Sequence, residues 1–317
     1  MKRLAIIGGG WVGCHLALAL NKEMDVTIYE KNGRLLCGTS FVNQNRLHYG
    51  YHYARNADTR QLCAATFDRF LKDYGSVVYD VHDNLYAVSE DESLLDAKTI
   101  SLIFNGWPHA LRDPAMFNHT SMLLGTIEKR ISAIGASQFF EQRLTPIVKQ
   151  EEVAKDCLDA LKRDYDFVFD CTNNSLLQPL PSHFFETVAM FLYCPKKDIP
   201  FGALTYIDGE LFSLYPYSSQ CFSLSHVKHG VMHDGSLGHL VEARNSIEAH
   251  VMRYWPDFLD SFDFQRSVLS TKAKVRNSSA KRTPLVRQED NIFSFFTGKI
   301  QGIYAIEEMA RDIIDQP

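Results

Sequence analysis

The sequence predicts an α/β protein in which a Rossmann-type dinucleotide-binding domain carries an inserted antiparallel-sheet domain. Three observations lead there. A strand, a glycine-rich turn, a helix and a second strand open the chain within the first 30 residues. Strand and helix patterns return in 120–180 and near the C-terminus. Between them, 184–227 alternates apolar and polar residues as a half-exposed antiparallel sheet does. At 317 residues the chain exceeds a usual single core, so two domains are expected. We assign 1–75, 120–180 and 270–317 to a discontinuous nucleotide-binding domain, and 76–119 with 181–269 to a substrate or cap domain.

Residues 3–8 read as a buried strand, 11–22 as a helix and Asp25-Val26-Thr27-Ile28-Tyr29-Glu30 as the next strand. The stretch 33–57 has neither periodicity, and its Asn, Arg, His and Tyr content marks it as a functional loop. Leu62, Phe67, Phe70 and Leu71 fall at helical spacing in 58–74, and Gly75 closes that helix. Strands follow within 76–89, a long helix over 120–140, and a strand over 164–172. The runs Phe212-Ser213-Leu214-Tyr215 and Cys221-Phe222-Ser223-Leu224-Ser225 alternate as sheet strands, and 301–314 is a closing helix.

Bulk properties exclude several classes. A formal net charge of -5 gives no electrostatic reason for a nucleic-acid partner or an anionic membrane surface. The runs Lys272–Arg276 and Lys281–Arg282 are too short to change that. No window reaches the roughly 20 apolar residues of a transmembrane helix, and the charged start breaks at once into glycines without a cleavage site. Seven cysteines, at 14, 37, 63, 157, 171, 194 and 221, contain no CxxC pair, which argues against a disulfide framework and a zinc site. A reducing, cytoplasmic setting is the expectation. His48 with His52, His226 with His229 and His229 with His233 lack carboxylates at ligand spacing, so no metal is expected.

The cofactor signal is Gly8-Gly9-Gly10-Trp11-Val12-Gly13, a GxGxxG placed between a strand and a helix. Gly8 serves the tight turn, Gly10 leaves room for a pyrophosphate, and Gly13 lets helix pack on strand. The phosphate charge then rests on the N–H groups and positive dipole end of the helix. Glu30 ends the second strand 17 positions after Gly13, where a carboxylate accepts hydrogen bonds from a ribose diol. The same charge repels a 2′-phosphate, which disfavours NADP. These residues alone leave FAD and NAD open.

The segment Gly38-Thr39-Ser40-Phe41-Val42-Asn43-Gln44-Asn45-Arg46-Leu47-His48-Tyr49-Gly50-Tyr51-His52-Tyr53 resembles the stretch after the acid in the D-amino-acid-oxidase-like (DAO) flavoprotein family. Asp166–Asn173 resembles that family's later strand and turn, and Ser294–Ile300 its last glycine turn before the closing helix. The resemblance implies FAD. It also implies that Ser40, Asn45, Arg46, Leu47, Thr172, Gly298, Lys299 and Ile300 join Gly8, Gly10, Gly13 and Glu30 in holding it.

In such an enzyme the flavin takes the hydride and the protein supplies orientation, charge and sometimes a base. In an extended chain Arg46, His48, Gly50 and His52 share one side, and Leu47, Tyr49, Tyr51 and Tyr53 the other. Arg46 suits a substrate carboxylate or the flavin phosphates. His48 suits contact with the isoalloxazine as base, donor or covalent anchor. The resemblance makes the antiparallel sheet a pocket roof, with Tyr206, Tyr215, Tyr217, His226, Lys228 and His229 as candidates; Tyr215 and His226 complete the catalytic set with His48 and Arg46. Arg276, Lys281, Arg282 and Arg287 are candidate anion contacts. The expectation is an FAD-dependent oxidase or dehydrogenase acting on a C–N or C–OH bond of a small polar substrate. The alternatives are a flavin-dependent non-redox isomerase of the sugar-nucleotide mutase type, or a non-catalytic FAD-binding protein.

Overall fold

A computed structural model describes residues 1–177, 183–233, 236–275 and 283–316. By their contacts they form two compact units, Met1–Phe41 with Ser132–Phe185 and Lys272–Pro317, and Val42–Ile131 with Glu186–Thr271.

The first unit is built on a six-stranded sheet. Its strands run in the spatial order Leu285–Glu289, Ile292–Phe296, Phe167–Asp170, Arg3–Ile7, Asp25–Glu30 and Val148–Gln150. All neighbours are parallel except the hairpin Leu285–Glu289 with Ile292–Phe296. The opening strand lies in the middle, and Leu4, Ala5 and Ile6 are fully buried, as a strand covered on both faces must be. Ala5, Ile7, Val168 and Ile292 pack with Leu158 and Leu161 in one cluster. The helix Trp11–Leu20 meets its neighbours through Trp11 on Phe140 and His15 on Tyr304, edge to face at 5.1 and 5.2 Å.

The second unit is organised by a nine-stranded sheet rich in antiparallel pairs, in which Ala203–Ile207 runs parallel to Asn84–Ser89. One face carries Leu204, Tyr206, Phe212, Leu214 and Leu224 against Ile247, Val251 and Tyr254 of the helix Leu237–Tyr254. A small sheet joins Arg46–Leu47, Lys129–Ile131 and Val78–Tyr79.

That small sheet places 42–75 and 120–131 in the second unit, whereas the sequence division put them with the nucleotide-binding segments. The helix expected over 120–140 is corrected too. Thr120–Thr126 and Lys129–Ile131 are strands, and the helix spans Ala133–Leu144, started by Ser132, whose Oγ accepts from Gly135 N at 3.0 Å. The helix expected over 58–74 is Ala57–Tyr74, capped by Asn56. The closing helix is Ile303–Asp315.

Candidate active site

In the first unit the glycine turn separates three tasks. Gly8 has φ +102°, a conformation side chains rarely adopt. A Cβ on Gly13 would stand 2.0 Å from the Gly8 carbonyl oxygen, so this glycine sets the helix-to-strand distance. A Cβ on Gly10 would meet only Ser40 Oγ, at 3.1 Å, and Gly10 has an ordinary φ of -78°. Nothing in the fold itself therefore demands glycine there. The N-cap of the helix Trp11–Leu20 is Gly10, which has no side chain to cap with, and the first turn holds no acidic residue. Its start suits an anion on both counts. Ser40 belongs to the same turn, its Oγ accepting from Trp11 N at 3.2 Å.

Glu30 is 7% exposed and tied to this turn. Its Oε2 accepts from Gly9 N at 2.7 Å, and its Oε1 from Asn32 N and Nδ2 at 2.9 and 2.7 Å. Glu30→Ala is expected to weaken FAD binding by about 1–3 kcal/mol through loss of a charged acceptor, and to destabilise the apoprotein by a similar amount through the orphaned Gly9 N–H. Titration of apoprotein with FAD, beside a thermal melt without it, measures the two losses separately.

Thr172 follows the strand Phe167–Asp170, and Gly298 follows Ile292–Phe296, at the carboxyl ends of strands adjacent in the sheet. Gly8 stands at the same end of the neighbouring Arg3–Ile7. Such an edge is where parallel α/β sheets bind dinucleotides. Asp170, which sequence reasoning missed, ties the edge together. Its Oδ1 accepts from Thr172 N and Oγ1 at 2.9 and 2.6 Å, and its Oδ2 from Ser294 Oγ at 3.0 Å. Gly298 has φ +65°, Lys299 N donates to Thr297 O at 2.7 Å, and Ile300 begins the 3-10 turn that enters the closing helix. An open backbone at Gly10, a helix start with a glycine N-cap and no acidic residue, and a buried carboxylate on the second strand fit the pyrophosphate and ribose of FAD.

The second unit holds a buried polar cluster around Arg46 and His48. Arg46 is 7% exposed. Its guanidinium donates to Thr205 Oγ1 and Gln44 Oε1, both at 2.8 Å, and to Ser213 Oγ, with a 3.5 Å approach to Tyr86 OH. It lies 4.0 Å above the Tyr215 ring. Every one of these partners is neutral, and Arg46 Nε has no hydrogen-bond partner among the described residues. Tyr215 is fully buried, and its hydroxyl donates to Lys129 O at 3.0 Å. Burial pushes the Tyr215 phenol up, so it stays protonated.

His48 Nδ1 lies 3.0 Å from Glu128 Oε2, which also accepts from Tyr86 OH at 2.5 Å. Glu128 Oε1 accepts from the backbone N–H groups of Tyr49, Gly50 and Tyr51 at 2.8, 2.9 and 3.2 Å. Burial alone would push this carboxyl up. The His48 ring and the four other donors outweigh it, pulling the value from 4.5 down to about 2. A carboxylate only accepts, so the shared proton sits on His48 Nδ1 and the basic nitrogen of the neutral ring is Nε2. Because the folded-state value lies below the unfolded one, this stabilisation is present above pH 4.5 and is lost as the pH falls towards about 2. The expected loss is about 3 kcal/mol over that window. Urea melts of the native protein and Glu128→Gln at stepped pH check it, since the variant lacks this part of the slope.

Not all predicted residues converge. Leu47 is fully buried, and its short strand pairs with Lys129. Asn45, at φ 48°, accepts Ile131 N at its carbonyl and shapes the entry to that strand. His226 pairs with Phe212 on the sheet face opposite Ser213 and Tyr215, so it does not join Arg46 and His48. Its Nδ1 accepts from Lys228 N and His229 N, its Nε2 lies 2.7 Å from His250 Nδ1, and His250 Nε2 lies 2.7 Å from Glu92. Burial and the neighbouring His250 hold His226 down at about 3, hence neutral. Arg287 lies on Leu285–Glu289, with Glu289 at 3.4 Å, while Arg276, Lys281 and Arg282 fall outside the described residues. Among the described residues no His, Cys, Asp or Glu cluster could hold a metal, and no helix is long and apolar enough to cross a membrane.

Glu128 carried no sequence signal, being one acid in a stretch that reads as helix. Gln44 did carry one, since it sits two residues before Arg46 and so shares its side of an extended chain.

The family model described as FAD dependent oxidoreductase (DAO) matches residues 3–305. The FAD-dependent monooxygenase FPY4 of Fusarium mangiferae is 30% identical, over 98% of this chain and 91% of its own. The FAD-dependent monooxygenase kojA of Aspergillus flavus is 22% identical, over 99% and 86%. Among solved structures, iminodiacetate oxidase from Chelativorans sp. BNC1 superposes with a TM-score of 0.71 at 10% identity, covering 99% of this chain and 96% of that one. The chain is therefore a flavoenzyme, a member of the DAO family of FAD-dependent oxidoreductases.

Proposed function

We propose that this enzyme oxidises a C–OH or C–N bond of a small, anionic substrate, the hydrogen on carbon leaving as hydride. The buried guanidinium of Arg46 carries the reading, because it sits among neutral oxygens and its Nε has no hydrogen-bond partner among the described residues. A substrate carboxylate gives this guanidinium, whose direct partners among the described residues are neutral, a charged partner of its own. FAD, when bound, supplies the two-electron acceptor. His48 takes the O–H or N–H proton at Nε2, while Glu128 fixes the ring through Nδ1 and stabilises the imidazolium that results. Tyr86 and the three backbone N–H groups keep Glu128 ionised as it does so. Tyr215 serves as the platform under Arg46.

The fungal relatives, FAD-dependent monooxygenases, favour a second reading, insertion of oxygen into the substrate. The purified yellow protein, held without oxygen and offered amino acids, amines, hydroxy acids and sugars in turn, separates the two. Bleaching of the visible flavin band by a carboxylate-bearing compound alone supports direct oxidation. Bleaching only by NADH or NADPH overturns it in favour of the monooxygenase.

A further inference from the structure

Two cysteines that lie 27 residues apart in the chain meet on the large sheet. Tyr193 pairs with Phe222 across the antiparallel strands His183–Pro195 and Phe222–His226. Cys194 follows Tyr193 and Cys221 precedes Phe222, so they occupy the next directly opposed position. Opposed residues of antiparallel strands have Cα atoms about 4.5–5.5 Å apart, inside the roughly 4.4–6.8 Å that a disulfide spans. The two sulfurs are 2.8 Å apart. Tyr217 N and Ser218 N both donate to Cys221 O, at 2.8 and 3.0 Å, and hold that backbone in place. Both thiols are half-buried, whereas Cys14, Cys63 and Cys171 are buried.

We propose that Cys194 and Cys221 form a two-thiol oxidation site that takes hydrogen peroxide and closes to a cross-strand disulfide. The opposed register on the sheet carries the inference, which does not depend on the substrate of the flavin. In the first step the Cys221 sulfur attacks one peroxide oxygen; the O–O bond breaks, a sulfenic acid forms and water leaves with the thiol proton. The Cys194 sulfur then attacks that sulfenic sulfur. An S–S bond forms, the S–O bond breaks, and the hydroxyl departs as water with the Cys194 proton. Both sulfurs are oxidised and one peroxide is reduced to two waters. The sulfur–sulfur hydrogen bond, with burial, holds the Cys194 thiol up at about 11, so Cys194 is still protonated during the first step and gives up its proton only as the S–S bond forms.

The test treats the FAD-loaded enzyme with graded hydrogen peroxide, blocks remaining thiols with N-ethylmaleimide and maps peptides by mass spectrometry. The expected result is a peptide pair linking Cys194 to Cys221 in most molecules, lighter by two hydrogens and restored by dithiothreitol. It should appear at doses that leave the exposed Cys157 largely alkylated. Cys194→Ser should abolish the link and carry Cys221 on to sulfinic acid. The proposal is overturned if both cysteines remain alkylated while Cys157 is oxidised, or if each is recovered separately as sulfinic acid in the native protein. The native map decides alone if the variant does not fold.

Discussion

Replacing His48 by alanine is expected to leave FAD bound and to slow its reduction by substrate roughly 10²–10⁴-fold, the usual contribution of a positioned general base. FAD retention follows because the glycine turn, Glu30 and the Thr172 and Gly298 turns belong to other segments of the chain. The fold should survive, since Glu128 keeps Tyr86 and three backbone donors when the ring is gone. Stopped-flow bleaching, with the flavin spectrum as the control for occupancy, reads both halves. Glu128→Gln should show a smaller kinetic loss with an altered pH profile, because Glu128 acts through His48 rather than on substrate. A variant lacking His48 that reduces at the native rate would remove the base from the account.

Gly10→Val is expected to give a folded protein that has lost at least about a hundredfold in FAD affinity, on the order of 3 kcal/mol. The fold tolerates a side chain there, because φ is -78° and the only close neighbour is the movable Ser40 hydroxyl at 3.1 Å. The pyrophosphate does not, because it needs the space the Cβ would fill. Gly13 cannot serve as this test, since a Cβ 2.0 Å from a backbone oxygen would damage the fold first. Far-ultraviolet circular dichroism together with flavin content after purification distinguishes a lost cofactor from a lost fold. Native flavin content in Gly10→Val would mean that this turn does not cradle the phosphates.

The part of the site that sequence revealed is the part built from local rules. Strand, glycine spacing, helix and Glu30 lie within 30 residues, and each has a conformational or electrostatic reason visible in its own letters. Arg46 and His48 stood out by residue type in a stretch without periodicity. Apart from Tyr215 and Gln44, their partners did not. Tyr86, Thr205 and Ser213 on their strands, and Glu128 in the turn between two others, reach them from 40 to 167 positions away, and no spacing rule predicts such pairings. The same limit explains the helix expected at 120–140. Leu123, Leu124 and Ile131 fit a helical stripe as well as a strand, and only pairing of Thr120–Thr126 with Asn84–Ser89 decides for sheet. His226 shows the converse. Its type suggested chemistry, but alternation along Phe222–His226 turned it towards the helix side, where His250 and Glu92 hold it.

The most direct test of the central claim is the anaerobic rate of flavin bleaching by a substrate found in the screen, compared with the same compound deuterated at the carbon to be oxidised. Hydride transfer predicts bleaching without any nicotinamide, a rate that falls on deuteration, and a product carrying no oxygen atom from O₂. A flavin that stays yellow until NADH or NADPH is added, with an atom of O₂ then recovered in the product, would contradict it.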